Sequence, residues 1–342
     1  MTAVRSKKIF LILGIAVALL FLSSMLTGSS SISVSEIFEW LIHSDSARDD
    51  LIREVVVNIR LPRSLASLSV GVCLALAGLL LQTLLVNDLA EPYTLGISGG
   101  ATLGVVVATA LGLASDSWVQ GIVALIGALG ASASVVVLSR KKGLGRSREL
   151  ILLGLMISLT CGSVISMVLA WLTPTALQSV LFWMMGQFGT DRDQLWPLTV
   201  SASVVGLVWS YFRSQQIDQM MLGEVLAKNL NPHYERFRIE VIFVATLLAA
   251  TSVATSGLIG FVGLIAPDMA RRLSKTSRSK TAIPVAACIG ACLLIAADTL
   301  SRAVSLNAFS NTAEVPAGAI VAAIGAPLLI VLLLRRPSRV VS

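Results

Sequence analysis

Apolar runs of about 17 to 25 residues recur from one end of the sequence to the other, each the length a helix needs to cross roughly 30 Å of hydrocarbon. Nothing else in the chain limits its fold as strongly. The 342 residues are 55% hydrophobic and only 13% charged, with a mean hydropathy of +0.85. A soluble domain would carry about a quarter charged residues, and a β-barrel would show short alternating strands. The expected fold class is an all-α polytopic membrane protein, a single transmembrane domain over residues 1–342. Expected spans are 8–28, 64–86, 93–113, 118–139, 149–172, 194–213, 238–256, 258–270, 281–301 and 315–335, ten transmembrane helices in all.

A net charge of +7 can suggest nucleic acid, but the placement of the bases argues otherwise. They gather in short segments between spans: Arg5/Lys7/Lys8, Arg140/Lys141/Lys142/Arg146/Arg148, Arg213/Lys228/Arg236/Arg238, Arg271/Arg272/Lys275/Arg278/Lys280 and Arg335/Arg336/Arg339. Every lysine falls in these groups. By the positive-inside rule they are cytoplasmic, which puts both termini inside and makes the number of crossings even. No nucleic-acid partner follows from them; the bilayer is the partner.

This topology bears on "GLIGFVGLIAPDMARRL" (257–273). Between Arg238 and Arg271 the chain must leave the cytoplasmic face and return, with about 48 Å of helix at 1.5 Å per residue against roughly 60 Å for two crossings. A short or broken helix near 257–270 is expected, turning at Thr255-Ser256-Gly257. Broken helices of this kind survive where they are buried in protein or line a cavity. Pro267 suits the first residue of a helix. Asp268 would then lie at its positive end, Arg271 and Arg272 at its negative end, with ion pairs at i+3 and i+4.

Other segments are less specific. Residues 5–28 have a basic start and a greasy core, but the core is long for a signal peptide and no convincing cleavage site follows, so a retained span is expected. "SVSEIFEWLI" (33–42) and "PTALQSVLFWMMGQFG" (174–189) read as surface-lying amphipathic helices. Cys73, Cys161, Cys288 and Cys292 all sit in apolar runs without histidine or acidic company, as packing cysteines do, so no metal site is expected.

Catalytic motifs are missing. The sequence has no GxxxxGK[ST], no HExxH and no GxSxG, so the chain is expected to be no enzyme and to hold no cofactor. Asp298, with Arg302 one turn later, is the only charge near a span interior. An ion-driven carrier needs dedicated ionisable groups at the midplane, so the energy source is expected on another subunit. A secondary carrier built of inverted repeats is the alternative.

At this point several blocks resemble one family. "NIRLPRSLASLSVGVCLALAGLLLQTLLVNDLAEPYTLGISGGATLG" (58–104), "GLIGFVGLIAPDMARRL", "AADTLSRAV" (296–304) and "EVPAGAIVAAIGAPLLIVLLLRR" (314–336) resemble the permease subunits of iron–siderophore, haem and vitamin B12 ABC importers. The resemblance implies a ten-helix permease of the bacterial cytoplasmic membrane, paired with a second permease. Two cytoplasmic ABC ATPases holding ATP and magnesium would drive it, and an extracytoplasmic binding protein would feed it, with ferric siderophore the leading cargo ahead of haem and cobalamin. It also implies ATPase coupling at Gly260, Gly263, Pro267, Asp268, Arg271 and Arg272, and binding-protein docking by Arg60, Arg63 and Arg302. Arginine forks suit carboxylate partners, although lipid-headgroup contact would equally place arginines there. Asp298 and Glu314 are expected to hold Arg302.

Pathway candidates are Ser158, Thr160, Ser163, Ser166, Gly99 and Gly100; the hydroxyls could instead bond back to their own helix, and the glycines could serve packing. Two departures from the family pattern stand out. Asp88 replaces the usual proline after Asn87, and Asp268 replaces the usual histidine after Pro267.

Overall fold

Apolar residues in lipid leave the backbone only itself to bond with, and the chain answers with helices. The computed structural model describes residues 2–27, 52–114, 116–141, 147–189, 194–276, 278–308 and 314–334, and the expected helix at 33–42 lies outside them. Helix α1 (Thr2–Leu26) is followed by a π-helical segment, Glu54–Arg60, that runs directly into α2 (Leu61–Leu85). Pro62 has no N–H to give, and the wider π turn accommodates it, with Leu61 N–H reaching the carbonyl of Val56. After α2 come a 3-10 turn (Pro92–Leu95), α3 (Ile97–Ala110), α4 (Ser117–Lys141), α5 (Ser147–Leu169) and α6 (Pro174–Met185). Then follow α7 (Trp196–Phe212), α8 (Ser214–Met220), α9 (Glu224–Leu230), α10 (Tyr234–Ser256), α11 (Val262–Ser274), α12 (Ser279–Ala308) and α13 (Ala317–Leu334).

Among the described residues, six helical stretches are long and apolar enough to cross a membrane: Lys8–Leu26, Glu54–Leu85, Ser117–Ser139, Arg148–Leu169, Tyr234–Ser256 and Ser279–Ser305. Ile97–Ala110, Trp196–Phe212 and Ala317–Leu332 are apolar but shorter. The span expected at 93–113 is cut because Pro92 opens a 3-10 turn and Gly96, at φ 81°, restarts the helix. Ser214–Leu230, expected only as a basic loop, folds into α8 and α9. Helix α6 forms within the expected 174–189 but ends at Met185, its Thr173 hydroxyl accepting from Ala176 N–H. Trp183 faces the bundle and Met185 faces out.

Helix α2 is the axis of the fold. In its apolar window 83% of residues are buried, against 11% in α5 and 6% in α1, so those two helices keep wide unpartnered faces. Lipid offers no hydrophobic gain for packing one helix on another, and close backbone approach supplies the cohesion instead. A Cβ on Gly71 would strike the Gly290 carbonyl of α12, and one on Gly78 would strike Gly263 of α11. The cysteines are free, with Cys73 buried and its thiol 3.6 Å from the Thr199 carbonyl.

Candidate coupling and docking ends

The helix break expected near 257–270 is present, and the helix after it, α11, starts and ends four residues later than the expected 258–270. Helix α10 stops at Ser256, Gly257 takes φ 73°, and Phe261 takes the left-handed φ 67° before α11 begins at Val262. A β-carbon at Gly257 would meet the Trp183 carbonyl, so glycine is needed there twice over. An unwound stretch between apolar helices must find bonds for its backbone. Tyr93 Oη donates to the Ile259 carbonyl at 3.0 Å and accepts from Ile259 N–H at 3.2 Å. Glu91 Oε1 accepts from Phe261 N–H at 2.8 Å, and Gln187 N–H serves the Ser256 carbonyl at 2.8 Å. Burial pushes the Glu91 carboxyl above its ordinary range, and the Phe261 N–H opposes that rise. Gly260 lies beside the same carboxylate.

Within α11 the structure corrects the sequence reading. Pro267 does not start a helix; it lies inside one. Gly263, Pro267 and Asp268 are buried, so they cannot themselves meet a partner surface. Asp268 accepts from Arg272 Nε at 2.7 Å, and Arg272 also donates to the Leu332 carbonyl of α13 at 2.9 Å. Arg271 donates to Gln82 of α2 and lies 3.5 Å from Asp88. Hence the i+4 pair forms as the spacing indicates, while Arg271 turns to α2 instead of Asp268. Only the last turn, with Arg272, Leu273 and Lys275, reaches the surface.

The opposite end of α2 carries a buried ion cluster. Arg63 donates from Nε and Nη2 to Asp298 Oδ1 (2.9 and 2.8 Å) and from Nη1 and Nη2 to the two oxygens of Glu314 (3.3 and 2.8 Å). Arg302 lies 3.0 Å from Asp298 Oδ2 and donates to the carbonyls of Ser24 and Thr27. Arg60 donates to the Met25 carbonyl at 2.8 Å. Two carboxylates thus pair with the guanidinium groups of Arg63 and Arg302, while Arg60 and Arg302 also bond to carbonyls at the negative end of α1. The placement corrects the expectation of docking arginines open to a partner, since Arg60, Arg63 and Arg302 are all buried. The reason is local: Pro62 sits in a continuous helix, not at a loop entry. Asp298 holds Arg302 as expected, but Glu314 holds Arg63. Its side chain is 44% exposed and is the cluster's contact with the outside.

The pathway candidates separate in a similar way. Thr160, Ser163 and Ser166 face outward from α5, yet each hydroxyl bonds back to the carbonyl one turn earlier (2.9, 3.0 and 2.9 Å). Ser158 is half-buried, its backbone 3.0 Å from where a Cβ on Gly99 would lie. Gly100 lets the α4 backbone at Gly127 approach. Both glycines therefore serve crossings of α3 with α5 and α4.

Sequence reasoning missed Gln82, Glu91, Tyr93 and the α8–α9 stub. Ile217 and Met220 anchor α8 in the core, and Asp218 accepts from the Ser279 N–H at the start of α12 (2.7 Å). That contact places the stub at the α11 end. There Leu222, Val225, Leu226 and Leu230 are all more than half exposed. Gly223 followed by seven helical residues among charges was the available signal.

The chain matches the model of the FecCD transport family over residues 15–335. It is 37% identical over 303 residues to the vitamin B12 import system permease protein BtuC of Klebsiella pneumoniae, covering 88% of this chain and 86% of that one. It is 34% identical over 321 residues to BtuC of Salmonella typhi, covering 93% and 94%. A solved metal-chelate-type ABC transporter in an inward-facing conformation superposes with TM-score 0.82 at 28% identity, covering 97% of this chain and all of that one. PsaBC from Streptococcus pneumoniae, in complex with Fab, shares the fold at TM-score 0.59 and 15% identity, covering 86% of this chain and 98% of that one. The match runs through the ion cluster, the helix break and the α8–α9 stub alike. The chain belongs to the FecCD transport family of ABC-importer permeases, multi-pass proteins of the bacterial cytoplasmic membrane.

Proposed function

We propose that this chain moves a bulky metal chelate inward by alternating access, as one of two permease subunits powered by two cytoplasmic ABC ATPases. The observation that carries the mechanism is the end of the bundle where α11 and α9 emerge together. There a broken helix finishes on Arg272 and Lys275, at the end of the bundle that also carries the exposed apolar residues of α9. A seven-residue helix cannot span a bilayer, so its apolar face suits a protein partner, and the neighbouring bases mark the side as cytoplasmic. On this reading the ATPase, which holds the ATP and magnesium, grips α9 and the last turn of α11. Both termini are cytoplasmic and the chain makes ten crossings.

The ion cluster then lies outside. The binding protein docks over Glu314, and Arg63 is reached from that carboxylate, with Arg60 and Arg302 behind it. The open face of α5, carrying Thr160, Ser163 and Ser166, meets the second permease across the pathway. A corrinoid now leads the cargo classes, because the 37% and 34% identical relatives are named for vitamin B12. That displaces ferric siderophore from first place.

Proteoliposomes holding the assembled complex separate the possibilities. Labelled cyanocobalamin should enter only with ATP and the binding protein, and ferric siderophore should compete weakly. Uptake driven by an ion gradient without ATP would sink the importer reading. Preference for the siderophore would sink only the cargo.

A further inference from the structure

Pro267 has no N–H, so the Gly263 carbonyl one turn earlier loses the bond a regular helix would give it. Gln82 of α2, only 2% exposed, stands at that gap. Its Nε2 donates to the carbonyls of Gly263 (3.2 Å) and Leu264 (3.4 Å), while its Oε1 accepts from Arg271. One side-chain amide therefore spends its donor and its acceptor on two turns of the same helix. Gly78, one turn earlier on α2, lacks the Cβ that would strike Gly263 and keep the helices apart. Arg271 makes its next contact, at 3.5 Å, with Asp88 in the turn that closes α2.

We propose that Gln82 is a positioning residue that locks α11 to α2. A displacement applied to the basic end of α11 is then carried into the core helix instead of being absorbed at the proline. A helix with freed carbonyls bends at them; with the amide in place, α2 and α11 move as one body. The proposal rests on the permease reading above.

The test uses the complete complex, with coupling read on unlabelled protein and distance on protein spin-labelled at the exposed positions Val86 and Leu273, which end α2 and α11. The parent complex should show one Val86–Leu273 distance that ATP does not change. In Gln82→Leu that distance should spread and respond to nucleotide, and cargo moved per ATP should fall at least about tenfold, the loss of a buried bond to a charged group. Adding Pro267→Ala returns an N–H to the Gly263 carbonyl and should recover part of the coupling, which a purely space-filling role would not. Gln82→Glu keeps the acceptor for Arg271 but loses the donor, and should fall between. It carries the same test if Gln82→Leu does not assemble.

A nucleotide-dependent distance in the parent, or parent-like coupling in both Gln82 variants, would overturn the proposal. A parent complex that hydrolyses ATP without moving any chelate overturns the permease reading, and this proposal with it.

Discussion

The two ends of α2 hold their neighbours by different means. At the Arg63 end, side-chain charges pair with one another and with the carbonyls closing α1, and Asp298 is wholly buried among them. At the Gln82 end, side chains bond mostly to backbone: Gln82 to Gly263 and Leu264, Tyr93 to Ile259, Glu91 to Phe261. Desolvated charges are costly to separate, whereas single bonds to backbone can be exchanged one at a time. The first end is built as a clamp. The second fixes α11 to α2 through Gln82 and leaves the unwound stretch at 257–261, held by single bonds, as the place where the chain can give.

Removing members of each set is the way to break that comparison. The largest effect belongs to Asp298→Ala, which strands Arg63 and Arg302 in the interior. It should cost about 3–5 kcal/mol, read as loss of folded, monodisperse protein in detergent. Next is Gly78→Ala, whose methyl meets the Gly263 backbone of α11; overpacking of this kind costs about 1–3 kcal/mol, visible as a lower melting temperature of the purified chain. Glu91→Ala leaves the Phe261 N–H unpaired, at about 1–3 kcal/mol, and should increase hydrogen exchange at residues 257–261 without touching the α1 end. The smallest belongs to Glu314→Ala. That carboxylate is half in solvent and Asp298 still holds Arg63, so the expected change is at most about 1 kcal/mol. A large loss from Glu314→Ala, or a small one from Asp298→Ala, would mean the clamp is misassigned.

Much of this layout is visible in the order of residues. Long apolar runs and lysine placement give the helical membrane fold, because span length and charge asymmetry are set by the bilayer itself. The break before α11 follows from the chain length between Arg238 and Arg271 once their charges put both on one face. The Asp268–Arg272 and Asp298–Arg302 pairs follow from i, i+4 spacing.

What escaped depends on contacts distant in sequence. Arg63 looks like a surface residue until Asp298 and Glu314, on other elements, close around it. Gln82 looks like one polar residue in an apolar helix until Pro267 frees a carbonyl opposite. Pro267 looks like a helix start because the sequence does not reveal that Phe261 can take a left-handed turn and begin the helix sooner. The α5 hydroxyls bond to their own helix while facing out, a rotamer choice that the sequence does not carry.

The central claim is that ATP hydrolysis acts on the membrane domain through the end where α11 and α9 emerge. The most direct measurement is binding-protein-stimulated ATP turnover in the purified complex bearing Arg271→Glu with Arg272→Glu. Stimulation and uptake should both disappear from complexes that still contain both ATPase subunits. Stimulation equal to the parent's would contradict the account.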